Sequence, residues 1–400
     1  MANHLRLMRL SKLHSRVYLQ PLSSRQLPLL ASMLSPSRSI SRRSMASSTS
    51  SSTQARRDSQ TLRLPDGRVL GFAEYGSPTG KPVFFFHGFP SSRLEAAGIL
   101  KLAPRPDVRI IAPERPGFGL STFDPTHRVA DWPAAVSALA AHLDIPQFAI
   151  LGGSGGAPYA LACARALPPE MISTVGLLAP AAPWTEGGIA GVPVSSRIAA
   201  SMGYYWPASL QAVTAGIVGI ARWLVATSFV TRRIDAWIEA SRKSEAEAEA
   251  KKHSELSTTT APSTHSSSPS PPATAPTPDK PSTAETRTEL IRSVFEAFQQ
   301  GTAPLVRESQ LLTWTGWGLP LDEMPDNRRI VIWHGTADGQ SPIAMVRDLA
   351  RRLGPRCCEL RELEGETHFT LASAEYLGQV LEELVPEEEE GGGEQPGKRT

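Results

Sequence analysis

The sequence predicts an α/β fold, with a mostly parallel sheet, helices on both faces and one helical insertion. Three observations carry this. Short continuous apolar runs such as Val83-Phe84-Phe85-Phe86 alternate with stretches of helical spacing, as strands buried on both faces require. The pentapeptide Gly152-Gly153-Ser154-Gly155-Gly156 lies between an apolar run, 147–151, and a helix-like run, 158–167. From Ala182 to Pro325 the alternation stops, and helical, aromatic-rich sequence replaces it.

The elements follow in order. Residues 1–57 read as a disordered or cleaved leader, and 58–181 as the first part of the α/β core. Thr61 to Leu64 and Val69 to Tyr75 flank Asp66-Gly67 and predict a hairpin. The Val83–Phe86 strand, a helix from Arg93 to Leu102 and a strand from Val108 to Ala112 come next. Trp132 to Leu143 is helical, with Asp131 as its cap ahead of Pro133. After the Gly-rich turn and its helix, Val175 to Leu178 forms the sixth strand.

The insertion spans 182–325. Trp184, Trp206, Trp223, Trp237, Trp314 and Trp317 lie in it and are expected mostly to fill its own small core. Ala208 to Val230 is apolar enough to raise a membrane question, but Gln211 and Arg222 interrupt it, so a helix pair rather than a transmembrane span is expected. Glu245 to Lys252 extends the preceding helix. Residues 254–286 are rich in Ser, Thr, Pro and Ala, cannot bury enough apolar area to offset chain entropy, and are expected to be disordered. Helix resumes with Leu290 to Phe298. The core returns over 326–385, with a strand at Ile330–Trp333, a helix at Ile343–Leu353 opened by Pro342, a strand at Cys357–Leu363 and a helix at Leu371–Leu384. Residues 386–400 form an acidic tail.

A strand, a Gly-x-Ser-x-Gly turn and a helix are the context of a nucleophile elbow. Glycines permit the sharp turn, and the helix N-terminus favours developing negative charge at Ser154. A nucleophilic serine needs a histidine base and a carboxylate to orient it. Among the histidines after Ser154, His253 and His265 lie in low-complexity sequence and His334 ends a strand. That leaves His368, on the loop Gly365–Phe369, as the base. Asp338 leaves the carboxyl end of the 330–333 strand, where ligand sites of open α/β sheets form, and ranks above Glu186 as the acid. The Phe86 strand end leads into His87-Gly88-Phe89-Pro90, so the N–H groups of Phe89 and Gly155 are the candidate oxyanion donors. His87 precedes the serine and is read as structural.

Five motifs now stand in order: HGFP (87–90), ERPGFGLS (114–121), GGSGG (152–156), HGTAD (334–338) and GETHF (365–369). Together they resemble the α/β-hydrolase superfamily in its HGxP-type, lidded branch, over roughly 60–182 and 326–385. The stretch HGFPSSRLEA is similar to a group of plant, fungal and bacterial hydrolases. The resemblance implies an α/β-hydrolase fold whose insertion is a helical lid. It maps the triad to Ser154, Asp338 and His368 and the oxyanion donors to Phe89 and Gly155, with no metal or organic cofactor. Many relatives carry Asp where this chain has Glu114, while Arg115 and Gly117 are kept.

The expected function is a serine hydrolase acting on an ester-like acyl bond of a small apolar or aromatic substrate. Carbon–carbon bond hydrolysis and aminopeptidase activity share the scaffold. The latter needs a carboxylate for the substrate amine, with Glu186, Asp235 and Glu239 as candidates. Ser154 argues against epoxide and haloalkane hydrolases, which use an Asp nucleophile. A slow-turnover small-molecule receptor on the same fold is the reading from another class. A net charge of +2 gives no reason to expect nucleic acid. Three cysteines (Cys163, Cys357, Cys358) provide neither a disulfide framework nor zinc spacing. Oligomeric state is not legible.

Residues 1–57 hold nine Arg, one Lys and no acid, so the +2 of the whole chain leaves the remainder at −8. Arg-rich, Ser-rich, acid-poor sequence is the composition of a mitochondrial transit peptide. A start at Met45 would remove the leader and give a cytoplasmic form.

Overall fold

The computed structural model describes residues 57–184, 189–258 and 281–386. Eight strands form one sheet: β1 Gln60–Arg63, β2 Val69–Gly76, β3 Lys81–Phe86, β4 Val108–Pro113, β5 Phe148–Gly153, β6 Ile172–Leu178, β7 Ile330–Gly335 and β8 Cys358–Leu363. Their order is β1-β2-β4-β3-β5-β6-β7-β8, antiparallel at β1/β2 and β2/β4 and parallel elsewhere. The register sets Phe86 beside Gly152, Gly152 beside Leu177, and Leu178 beside Trp333. The carboxyl ends of β3, β5 and β7 therefore open on one edge, and the loops that leave them meet there.

The helices are α1 Ala96–Leu102, α2 Trp132–His142, α3 Ala157–Ala166, α4 Val194–Tyr205, α5 Pro207–Ala226, α6 Ser228–Thr258, α7 Thr283–Phe295, α8 Ala303–Leu312, α9 Ile343–Leu353 and α10 Ala374–Leu384. Strand pleating sends alternate side chains to opposite faces. Phe84 and Phe86 pack with Trp132, Tyr159 and Val346 of α2, α3 and α9. Val83 and Phe85 pack with Ile99, Leu377 and Val380 of α1 and α10. Helices α4 to α8 form the insertion between β6 and β7, the segment that the resemblance reads as a lid.

Several expectations need correction. Helix α6 continues to Thr258 and α7 begins at Thr283, so both ends of the 254–286 segment are helical; 259–280 lies outside the described residues. The signal at the second boundary was in the sequence. Ser282 and Glu285 form a capping box, with Ser282 Oγ accepting from Glu285 N at 3.2 Å and Glu285 Oε2 accepting from Ser282 N at 2.7 Å. Asp131 does not cap α2. Its carboxylate accepts from the Arg128 N–H at 2.9 Å and closes the preceding 3-10 turn. The last helix starts later than expected because Ser373 accepts from Tyr376 N and caps it. The lid tryptophans do not mostly fill its core. Trp206, Trp223 and Trp237 are exposed, whereas Trp317 is buried and Trp184 stacks edge-on against Trp314.

Candidate active site

Strand β5 ends at Gly153 and α3 starts at Ala157, with a single 3-10 turn, Ser154–Gly156, between them. Ser154 has φ +48°, a left-handed conformation strained for a residue with a β-carbon. A Cβ on Gly156 would sit 2.1 Å from the Phe86 carbonyl oxygen, so only glycine lets the turn cross β3 there. A Cβ on Gly155 would lie 2.8 Å from Phe89 Cβ and 3.4 Å from Phe89 N. Glycine at 155 thus allows the Phe89 backbone to lie alongside it, next to the serine.

Three side chains converge from separate loops. His368 Nε2 is 3.0 Å from Ser154 Oγ, and His368 Nδ1 is 2.7 Å from Asp338 Oδ2. The other Asp338 oxygen, Oδ1, accepts from the N–H groups of Gln340 at 2.7 Å and Ser341 at 2.9 Å. Burial alone would raise this carboxyl's pKa, but the His368 hydrogen bond and charge and the Ser341 amide outweigh it and hold it below the usual range. An ionised Asp338 fixes the proton of His368 on Nδ1 and leaves Nε2 to accept from the serine hydroxyl. His334 is fully buried, and its Nε2–H donates to the Ser341 carbonyl at 2.8 Å, bracing the loop that carries Asp338. Burial lowers its pKa, so it stays neutral.

His87, Asp235 and Glu239 do not join this cluster. His87 is buried, donates from Nδ1 to the Gly88 carbonyl at 2.9 Å, and accepts from Arg115 N at 3.4 Å. Burial and the Arg115 charge push its pKa well down, so it serves as a neutral brace. Asp235 is paired with Arg287 within the lid at 2.5 Å, and Glu239 is exposed. Glu186 and His265 lie outside the described residues, as does the His253 side chain.

Sequence reasoning missed the groups that hold the 87–89 segment. Arg115 Nη1 and Nη2 donate to the carbonyls of His87 at 2.6 Å and Gly88 at 2.9 Å. Its Nε lies 2.7 Å from Oε1 of Glu308, on lid helix α8, and both side chains are fully buried. Tyr159 donates to Glu308 Oε2 at 2.7 Å. Burial would raise the Glu308 pKa, but Arg115, His127 and Tyr159 together hold it below the usual range. A second buried ion pair links lid and core: Arg93 Nη1 is 2.8 Å from Glu114 Oε1 and 2.5 Å from Glu296 Oε1. From the other side, Glu95 Oε2 accepts from Gly88 N at 2.9 Å. A Cβ on Gly88 would be 3.5 Å from that oxygen and 3.7 Å from Ser154 Cβ, which sets the carboxyl beside Ser154. The crowding of protein around Glu95 pushes its pKa up, although the residue keeps exposed surface. Arg115 stood inside a recognised motif, but nothing in the spacing marks Glu95 or Glu308.

The sheet order, the strained serine between β5 and α3, and the carboxylate–imidazole–hydroxyl chain define an α/β protein with a sharp strand–serine–helix turn at the carboxyl edge of its sheet. Residues 81–198 match the family model described as the alpha/beta hydrolase fold. The chain has the alpha/beta hydrolase fold. No curated protein matches it. Solved structures that it resembles include the esterase RhEst1 from Rhodococcus sp. ECU1013, at 16% identity and TM-score 0.49, over 82% of this chain and 99% of that one. The esterase EaEST from Exiguobacterium antarcticum is 13% identical with TM-score 0.46, over 78% and 93%. The bromoperoxidase from Bacillus anthracis is 14% identical with TM-score 0.47, over 82% and 100%. Nothing about substrate or reaction follows from similarity at this level.

Proposed function

We propose that this protein is a serine hydrolase that cleaves an ester-like acyl bond through an acyl-enzyme. The observation that carries the reading is the continuous chain from Asp338 Oδ2 through the His368 imidazole to Ser154 Oγ, at 2.7 and 3.0 Å. Ser154 Oγ attacks the acyl carbon while His368 Nε2 takes its proton, and Asp338 stabilises the imidazolium. The amides of Phe89 and Gly155 are the oxyanion donors, a role their adjacency beside Ser154 supports. The protonated His368 then gives its proton to the leaving alcohol. Water, deprotonated by the same nitrogen, attacks the acyl-enzyme, and collapse of the second tetrahedral intermediate returns the serine hydroxyl and releases the acid.

An apolar acyl group is favoured by what faces the turn. Leu312 of α8 would lie 3.2 Å from a Cβ at Gly155, so the lid presents an aliphatic side chain beside the reacting hydroxyl. The test is a fluorophosphonate probe together with a panel of p-nitrophenyl esters of graded chain length. Wild type is expected to label and turn over. Ser154→Ala is expected to label not at all and to lose about 10⁴–10⁶ in turnover. Full activity in that variant on every ester cleaved by wild type sinks the assignment, and labelling without turnover supports a receptor instead.

Glu95 favours a second reading, aminopeptidase activity, because it places a carboxyl near Ser154, whereas Asp235 pairs with Arg287 and Glu239 is exposed. Under that reading Glu95→Gln abolishes cleavage of substrates with a free amine and spares neutral esters.

A further inference from the structure

The outer surface of the lid is built the wrong way round for a face in water. One side of α5 packs on α4, α6 and α8, with Leu210 and Val225 buried. Its opposite side is exposed and apolar: Ile217 is 61% exposed, Ile220 61% and Trp223 67%, with Val213 beside them. Spacings of three and four residues put these on one face. No charged side chain interrupts that face. Aromatic rings mark both ends of the helix, Trp206 at its start and Trp223 and Phe229 at its finish, all more than half exposed. Among the described residues, α5 is the one helix long and apolar enough to cross a membrane by length and composition.

Charge narrows the occupant. Residues 189–234 contain four Arg and no Asp or Glu. Arg222 turns inward, donating to the Phe298 carbonyl at 3.3 Å and lying over the Phe295 ring, whereas Arg232 and Arg233 are exposed just beyond the apolar face. A second copy of the chain fits this poorly. A two-fold contact through α5 brings the same arginines together from both copies, with no acid in the segment to oppose them. An anionic bilayer fits it well: tryptophan and tyrosine rings prefer the headgroup level, aliphatic side chains enter the acyl boundary, and arginines meet lipid phosphates.

We propose that the outer face of the lid, centred on Val213, Ile217, Ile220 and Trp223, docks the protein on an anionic lipid surface. Because one side of α5 is fixed to its neighbours, the helix lies along the interface and does not span it. The inference rests on the lid surface alone, so it stands or falls independently of the chemistry at Ser154.

The full chain is tested by flotation with vesicles of phosphatidylcholine alone or with about 30% phosphatidylserine. It is expected to partition to the anionic vesicles and more weakly to the neutral ones. Ile217→Asp/Ile220→Asp is expected to lower partitioning at least about tenfold without altering thermal unfolding, since both side chains are exposed. Arg232→Gln/Arg233→Gln is expected to weaken binding to the anionic vesicles only. Absence of binding to either vesicle overturns the proposal. So does binding that survives the double aspartate variant but is lost when residues 1–56 are removed, which assigns it to the leader. A concentration-dependent dimer that the aspartates dissociate, with no vesicle binding, assigns the face to a second copy and overturns it as well.

Discussion

Replacing Glu308 tests whether the insertion holds the 87–89 segment, proposed to bind the oxyanion, through a buried charge. In Glu308→Ala the Arg115 guanidinium, fully buried, loses the carboxylate at 2.7 Å and keeps the His87 and Gly88 carbonyls and the Phe118 and Tyr159 rings. Tyr159 loses its acceptor at the same time. Removing one partner of a buried pair leaves an uncompensated charge and costs about 3–5 kcal/mol. The expected result is a lower urea midpoint with an unchanged slope. Ester turnover should fall about a hundredfold as Phe89 loses its register against Gly155. The double variant Arg115→Met/Glu308→Met separates the two effects. It removes both charges, so stability should largely return, but it also removes the donors to His87 and Gly88, so turnover should not. A loss below about 1 kcal/mol in the single variant refutes the argument, because no interior site could leave that arginine unpaired so cheaply.

Four further outcomes are expected. Gly155→Ala puts a Cβ 2.8 Å from that of Phe89, so the loop must shift; kcat should fall about a hundredfold with KM little changed, and unchanged kcat would remove Gly155 and Phe89 as oxyanion donors. Burial raises the Glu114 pKa from 4.5 to about 7, against the opposing Arg93 charge, so between those values the folded state keeps a proton that the unfolded state has released. Wild type should therefore gain stability relative to Glu114→Gln as pH falls from 7 to 4.5, by about 3 kcal/mol, in paired denaturant titrations. A flat difference would mean that Arg93 keeps the carboxylate ionised. A chain started at Met45, imaged in cells, should lose the mitochondrial targeting proposed for the leader, and unchanged targeting would defeat that proposal. Amide exchange should be faster in α4 and α5 than in α8, and equal rates would contradict the opening route argued below.

The core was legible because each local signal had one physical solution. Val83–Phe86 is a short apolar run of β-branched and aromatic residues closed by His87-Gly88, the pattern of a buried strand, and GGSGG between a strand and a helix admits a turn that few other sequences can make. Ser154, Asp338 and His368, which come within hydrogen-bond reach of one another, were each marked by the element that precedes them. The Ser282–Glu285 box was legible too, but composition over 254–286 outweighed it, and a helix start was passed over. Glu95, Glu296 and Glu308 were not legible. Each lies in helical sequence where an acid normally faces water, and only the fold reveals that its partner is a buried arginine or the Gly88 amide. The exposed tryptophans failed for the converse reason: an aromatic is expected inside, and nothing local says that a lid has an apolar outer face.

The two faces of the lid constrain how it can move. Its inner acids, Glu296 and Glu308, neutralise Arg93 and Arg115 within the core, and all four side chains are almost fully buried. Swinging the whole lid away would part Glu308 from Arg115 and Glu296 from Arg93, leaving Arg93 with Glu114 and Arg115 with the His87 and Gly88 carbonyls. Helices α4 and α5 carry no such anchor. They contribute no acid to the core, and most of the large apolar side chains of α5 face outward. Opening is therefore cheapest where these two helices move and α8 stays, with Glu308 still holding Arg115 and the loop at Gly88.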